Sequence, residues 1–244
     1  MNDNENPKKI NFTIEYKNKD LMRTFVKKIN PPLFILDFEA ITFLPKWMHE
    51  NNLDLDQQIF SFSFLKISDF NDEKEIPFHF NFIKIGMNHK NNYEVDYKKM
   101  AKELANKYRQ FQNSPVYVWS SELEYKAIIK LLRNSDQKDK LVLTNLLINI
   151  IDLQVYFRSK NDPIIEIVPV HKSSLSWISN AFGIKIESKL RNGQRTNYLL
   201  RNIINNKNIS LENLNEQCEK LEEYNNSDVI KIKRILIKIH KDLV

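Results

Sequence analysis

The sequence predicts an α/β domain built on a mixed sheet. Three observations carry that expectation. IFSFSFLKI (59–67) and EIPFHFNFIKI (75–85) alternate apolar and polar residues at a period of two, as half-buried strands do. PPLFILDFEAITFLP (31–45) opens on a proline pair and is β-branched and aromatic through 33–39, which reads as a buried strand. Beyond residue 95 the apolar spacing becomes helical, interrupted by two short strand-like runs.

Taken in order, residues 1–30 are polar and charged: a frayed N-terminal segment followed by a short helix or strand. Residues 31–244 form a single domain, with no internal repeat and no linker long enough to divide it. Its first three strands have short links and predict an antiparallel meander. From Val95 to Gln112 a helix carries Met100, Leu104, Ala105 and Tyr108 on one face. Pro115 opens the strand VYVW (116–119), and the Ser-Ser pair starts a helix over 120–133. INIID (148–152) is a further strand, with a helical turn through Phe157. SSLSWISNAFG (173–183) is a helix capped by Ser173–Ser176 and ended by a glycine, the residue suited to a left-handed C-cap. A basic loop, KLRNGQRTN (189–197), leads to helices over 198–206 and 210–242.

Composition bounds the function classes. The 244 residues are 42% hydrophobic and 11% aromatic, enough for a sizeable core. No run approaches the roughly 20 apolar residues of a membrane span, and MNDNENPKK lacks a signal-peptide core. One cysteine, Cys218, excludes an intramolecular disulfide and a cysteine-built zinc site. A cytoplasmic protein is expected, with no membrane partner. The net charge of +6 permits a polyanionic partner. It does not single one out, because 29 of the 37 basic residues are lysine in a chain with 30 asparagines and three glycines.

Two acids interrupt the most hydrophobic stretch. Asp37 and Glu39 are two apart on a strand, so both point to the same face. Buried carboxylates need cationic partners, a strand end or a metal. In LEEYNNSDVIKIKRIL, Tyr224 and Asp228 are neighbours on one helical face, beside the apolar residues Leu221, Val229, Ile232 and Leu236. In WSSELEYKAII, Glu122 and Glu124 both fall in the first helical turn, where a carboxylate suits the helix dipole or faces the sheet's edge. Asp152 reads as a structural strand-end acid, and the five histidines show no ligand spacing.

Together these features resemble the DEDD 3′–5′ exonucleases of RNase H-like fold, which carry D-x-E on the first strand, an acid near the helix after the fourth strand and a late Y-x-x-x-D. Position 223 is glutamate, so the histidine branch is excluded and the match is to the tyrosine branch. A closer resemblance, over nearly the whole chain, is to a bacterial family of predicted nucleases of this type. Its landmarks appear here as LDFE (36–39), QQIFSFS (57–63), VYVWSSELE (116–124), IIDL (150–153), SSLSWI (173–178) and YNNSD (224–228). Asn225 departs from that family's usual cysteine, and Ser120 stands where asparagine is common.

The resemblance implies that Asp37, Glu39, Glu124 and Asp228 hold two Mg²⁺ or Mn²⁺ ions that cleave phosphodiester bonds at a DNA or RNA 3′ end. Clustered carboxylates predict raised pKa values and metal-linked stability. Tyr224 would orient or help deprotonate the attacking water. Phe38 and Trp119 are candidates for stacking on terminal bases, or core residues. Lys185, Lys189, Arg191 and Arg195 are candidates for holding phosphates. The competing expectations are a catalytically silent nucleic-acid-binding or scaffold protein, and an endonuclease using the same ions.

Overall fold

The structure, a computed structural model, describes residues 12–41, 58–71, 76–81, 96–158, 164–169, 172–186, 188, 190, 193–205 and 209–244. In chain order the elements are β1 (Thr13–Tyr16), α1 (Lys19–Lys28), β2 (Leu33–Ile41), β3 (Gln58–Ile67), β4 (Phe78–Asn81) and α2 (Tyr97–Tyr108). Then come β5 (Val116–Val118), α3 (Ser121–Arg133), α4 (Gln137–Ile148), β6 (Ile150–Asp152) and the single turn α5 (Val155–Arg158). The chain continues through β7 (Ile165–Val168), α6 (Leu175–Ala181), α7 (Gly193–Asn205) and α8 (Leu211–Leu243).

Five strands form one mixed sheet in the order β4-β3-β2-β5-β6. β2, β3 and β4 pair antiparallel, whereas β5 joins β2, and β6 joins β5, in parallel. The parallel step from β5 to β6 needs a crossover, and α3 with α4 supplies it. The three antiparallel and two parallel strands are those the sequence predicts. Of the third, expected over 75–85, the pairing among the described residues covers Phe78–Asn81, and 75 and 82–85 lie outside the described residues.

Strand alternation sorts β2 onto two faces. Phe34, Leu36, Phe38 and Ala40 enter a core completed by α2, α3 and α4 through Met100, Leu104, Ala127, Leu131, Val142 and Leu146. Leu33 and Ile35 face the other way, onto Val229, Ile232, Ile235, Leu236 and Ile239 of α8. At about 1.5 Å per residue the 33-residue α8 is about 50 Å long. Its earlier residues Leu214, Cys218 and Leu221 reach the first core. The Ser210 hydroxyl caps it by accepting from the Asn213 N–H, 3.2 Å away.

Four features differ from the sequence reading. Residues 13–29 are not a separate polar segment, because Met22, Phe25 and Ile29 are buried in the second core. β1 pairs antiparallel with β7 in a small second sheet. Residues 137–148 form α4, whose evenly apolar LVLTNLLI stretch gives no clear helical period. The helix expected over 95–112 ends at Tyr108 and tightens into a 3₁₀ turn, Arg109–Phe111. The expected left-handed glycine is present: Gly183 follows α6 at φ 72° and donates to the Asn180 carbonyl at 2.9 Å.

Candidate functional site

The face of the sheet beneath α8 changes character along its length. Register places Leu33 opposite Ile67 and Ile35 opposite Leu65. The next same-face rows are Asp37–Ser63–His79 and Glu39–Ser61–Asn81. Six polar side chains therefore follow four apolar ones on one continuous surface. A register shift follows at once: Glu39 pairs Ser61 but Ala40 pairs Ile59, leaving Phe60 as the extra residue. Such bulges re-aim side chains next to functional sites.

The carboxyl ends of β2, β5 and β6 lie at this same edge, where open α/β sheets bind ligands. β2 brings Asp37 and Glu39. Chain leaving β5 enters α3, whose first turn brings Glu124, and β6 ends on Asp152. From above, α8 brings Tyr224, Asn225, Asp228 and Lys231.

Asp37, Glu39 and Asp228 converge: one oxygen from each lies within 4.8 Å of the others. Among the described residues no other set of three His, Cys, Asp or Glu side chains is gathered so closely. Glu124 stands beside this triad without belonging to it, and its charge is felt by Glu39. The β2–β5 pairing stops at Ile35–Tyr117. Past that point the Phe38 N–H donates to the Glu124 carboxylate, as does Glu124's own N–H. The side chain is 3% exposed, and its Oε2 is buried with no hydrogen-bond partner. Glu122, the alternative third acid, faces solvent and pairs with Lys126 at 2.9 Å. The choice the sequence leaves open is resolved by direction: only Glu124 turns inward.

All four carboxyls are pushed above the usual carboxylate range, first by burial in each case. Asp228 adds to the shift of Asp37. Asp37, Asp228 and Glu124 add to that of Glu39, and Asp37 and Asp152 to that of Glu124. Asp228 is partly relieved by Lys231, Tyr224 and Ser227. The Tyr224 hydroxyl donates to Asp228 and is driven far above the normal tyrosine range by burial and then by Asp228, Glu39 and Asp37. It is held as a protonated donor.

Sequence reasoning missed the cationic and amide side chains here. Lys231 is 8% exposed, and its ammonium donates to Asp228 Oδ1 at 2.6 Å and to Ser227 Oγ at 3.3 Å. Fully buried Asn225 donates to Asp37 Oδ2 through a short contact. The Ser63 hydroxyl donates to Asn226 Oδ1 at 2.7 Å, so it accepts from His79 Nδ1, 2.9 Å away. That bond fixes the imidazole tautomer and ties α8 to the sheet. The i+3 spacing of Asp228 and Lys231 was the available signal, lost among so many lysines.

The remaining candidates are placed as follows. Phe38 points to the opposite face from the acids, 2% exposed against Phe62. Trp119 is 7% exposed, packed at a tilt against Phe157, with its indole N–H donating to the Ser173 carbonyl at 3.1 Å. Neither ring has a face open to a base, so both are core residues here. Arg195 is exposed in the first turn of α7, and Lys185 is exposed after α6. Lys189 and Arg191 lie outside the described residues. The serine caps are corrected too: neither Ser120 nor Ser174 caps with its side chain. Asp152 does that work for α3, accepting from the Ser121 N–H at 3.0 Å while its other oxygen accepts from Gln154 N–H.

The donor set is all oxygen, which suits hard divalent cations. The orphaned Glu124 oxygen is the kind of buried acceptor that such a cation satisfies. Among the described residues no helix is long and apolar enough to cross a membrane. No protein-family model, no curated protein and no solved structure matches the chain.

Proposed function

We propose that this protein is a divalent-metal-dependent phosphodiesterase, specifically a 3′–5′ exonuclease of the tyrosine-branch DEDD type on an RNase H-like sheet. One observation carries the reading. Carboxylates 191 positions apart in the chain, Asp37 and Asp228, meet within 4.8 Å together with Glu39. Folding brings like charges together against burial and repulsion, an arrangement that a bound cation compensates. Sheet order β4-β3-β2-β5-β6, antiparallel then parallel, also supports the fold assignment.

Asp37, Glu39 and Asp228 would hold Mg²⁺ or Mn²⁺, with Glu124 as the adjoining ligand. Bound there, the metal supplies a Lewis acid for the phosphoryl oxygens and an activated water. Tyr224, hydrogen-bonded to Asp228, would orient the attacking water or help deprotonate it. Asn225 and Lys231 fix the rotamers of Asp37 and Asp228 before substrate arrives. Lys185 and Arg195, both exposed, are the described members of the basic set that would hold phosphates of DNA or RNA.

The test is digestion of 5′-labelled DNA and RNA oligomers with Mg²⁺ or Mn²⁺. A ladder shortening from the 3′ end is expected, reduced about 10³-fold in Asp37→Asn and Asp228→Ala. Cleavage that persists in either variant removes the proposed site. Cleavage of a closed circle reassigns the protein as an endonuclease.

A second reading has its own support. The Lys231–Asp228 ion pair already neutralises part of the site's charge, as a metal-free nucleic-acid-binding scaffold would require. Absence of any Mn²⁺-linked rise in melting temperature would favour it.

A further inference from the structure

The geometry points to a second binding site, remote from the carboxylates, that takes a small amphiphilic carboxylate: an aliphatic chain ending in one anionic group. The site is a groove of about 470 Å³ lined by Tyr16 at the end of β1, by Met22, Arg23, Val26 and Lys27 of α1, and by Leu243 at the end of α8. Leu243 stands 15 residues beyond Asp228 on α8, about 22 Å along the helix. The groove therefore stands or falls independently of the metal-dependent reading.

Helical spacing builds the groove. Met22, Phe25 and Ile29 of α1 point into the second core, as an i, i+3, i+7 stripe does. Val26, four residues after Met22, continues that stripe outward and is half-buried. Opposite, Leu243 follows the buried Ile239 by one turn of α8 and is half-buried too. The Tyr16 hydroxyl donates to Asp242 Oδ2 at 2.7 Å, which ties β1 to α8 and fixes the ring as a third wall. Apolar surface thus converges from three elements, and no side chain among the described residues fills the space between them. Its volume falls in the small-molecule range of roughly 300–1,000 Å³. It is one pocket, not the row of pockets that successive anchors of a peptide need.

Charge selects the ligand. The lining holds two cations and no acid. Arg23 and Lys27 are four apart on α1, both exposed, so they share one rim of the groove. Arg23 meets only Asp20, at 3.4 Å in an exposed pair, and Lys27 has no ion-pair partner among the described residues. Lys17, by contrast, is engaged by Glu15 and Glu166 at 2.7 and 2.9 Å. Asp242 is already engaged by Tyr16. A carboxylate at the rim meets the Arg23 fork and the Lys27 ammonium while staying partly hydrated. Its chain then covers Met22, Val26 and Leu243. A neutral chain forgoes the two cations, and a cationic one is repelled by them.

The experiment varies the ligand's head and the groove's rim. Octanoate, octanol and octylamine are titrated separately into the metal-free full chain and followed by calorimetry. Octanoate is expected to bind once per chain, about fivefold tighter than octanol, since two exposed charge contacts are each of modest strength. Octylamine is expected to bind weakest. Lengthening octanoate to decanoate should tighten binding about two- to fourfold per added methylene. Replacing both rim cations, Arg23→Ala with Lys27→Ala, should bring octanoate down to the level of octanol and leave octanol unchanged. Arg23→Glu with Lys27→Glu should reverse the order, so that octylamine binds best. Leu243→Ser should weaken all three, which locates their chains in the groove. Equal binding of octanoate and octanol, or octanoate binding undiminished by the paired alanines, overturns the proposal. So does the absence of saturable binding at millimolar octanoate. Binding to vesicles of anionic lipid without binding of octanoate also overturns it, and assigns the groove to a membrane surface.

Discussion

Two halves of one sheet face sit under the same helix and do opposite things. In the lower half Leu33, Ile35, Leu65 and Ile67 meet Ile232, Ile235, Leu236 and Ile239 of α8, and all are 2% exposed or less. In the upper half the same two strands, joined by β4, present Asp37, Glu39, Ser61, Ser63, His79 and Asn81 on the face toward Tyr224, Asn225 and Asp228. Backbone geometry, register and covering element are shared. Only side-chain chemistry differs, and it divides the labour: the apolar half supplies the adhesion that lets the polar half hold unfavourable charge. Strain of this kind persists where the surrounding structure over-determines it.

The largest effect separating the halves is on stability, and its sign should reverse within two residues. Ile35→Ala deletes buried methyl groups from a filled layer and is expected to cost about 3 kcal/mol in denaturant unfolding. Asp37→Asn keeps the shape and the acceptor for Asn225 but removes a charge repelled by Asp228. Without metal, its melting temperature at pH 8 is expected to equal or exceed that of the unaltered protein. A loss comparable to that of Ile35→Ala would mean that the two halves are both structural.

pH sharpens the same contrast. Unfolded carboxyls ionise near pH 4, whereas those of Asp37, Glu39, Glu124 and Asp228 are raised in the fold. Between those limits the folded state binds more protons, so stability without metal falls as pH rises. It is complete below about pH 4 and lost progressively as each folded carboxyl ionises. The melting-temperature gap between Asp37→Asn and the unaltered protein should therefore widen from pH 5 to pH 8. On the proposed metal-dependent reading Mn²⁺ would compete with those protons, so its stabilising shift should grow over the same range. A gap or metal shift independent of pH would contradict the burial of these charges.

The polar half was legible in the sequence to the extent that it violated a pattern. Two acids in a β-branched run cannot be explained by packing, and period-two alternation puts them on one face. That rule also places Phe38 on the other face, where it is found, which argues against a base-stacking role from the sequence alone. Tyr224 and Asp228 were legible through helical spacing beside an apolar stripe. Glu122 and Glu124 were not separable, because two residues of helix turn the side chain by about 200° and only the fold says which way is in. Lys231 and Asn225 were hidden by composition, since a chain rich in lysine and asparagine offers such residues everywhere. The β1–β7 pair was beyond reach for a different reason. Four-residue strands some 150 positions apart pair through tertiary context and leave no local signal.

The smallest effect tests where the boundary between scaffold and site runs. Asp152 ends β6 at the edge shared with the carboxylates, yet both of its oxygens accept from backbone N–H groups, of Ser121 and Gln154. Its work is to cap α3 and so aim the turn that carries Glu124. Asp152→Ala should cost about 1 kcal/mol, as the loss of a helix cap does, measured as a shift in the unfolding midpoint. Asp152→Asn keeps one acceptor and should cost less. Both variants also remove a negative charge that raises the Glu124 pKa, so proton competition at Glu124 weakens as the cap is lost. If Asp152 belongs to the scaffold, the Mn²⁺-linked stabilisation of Asp152→Asn should match or exceed that of the unaltered protein. A collapse of that stabilisation with little change in the metal-free midpoint would move Asp152 among the ligands and extend the polar half across β6.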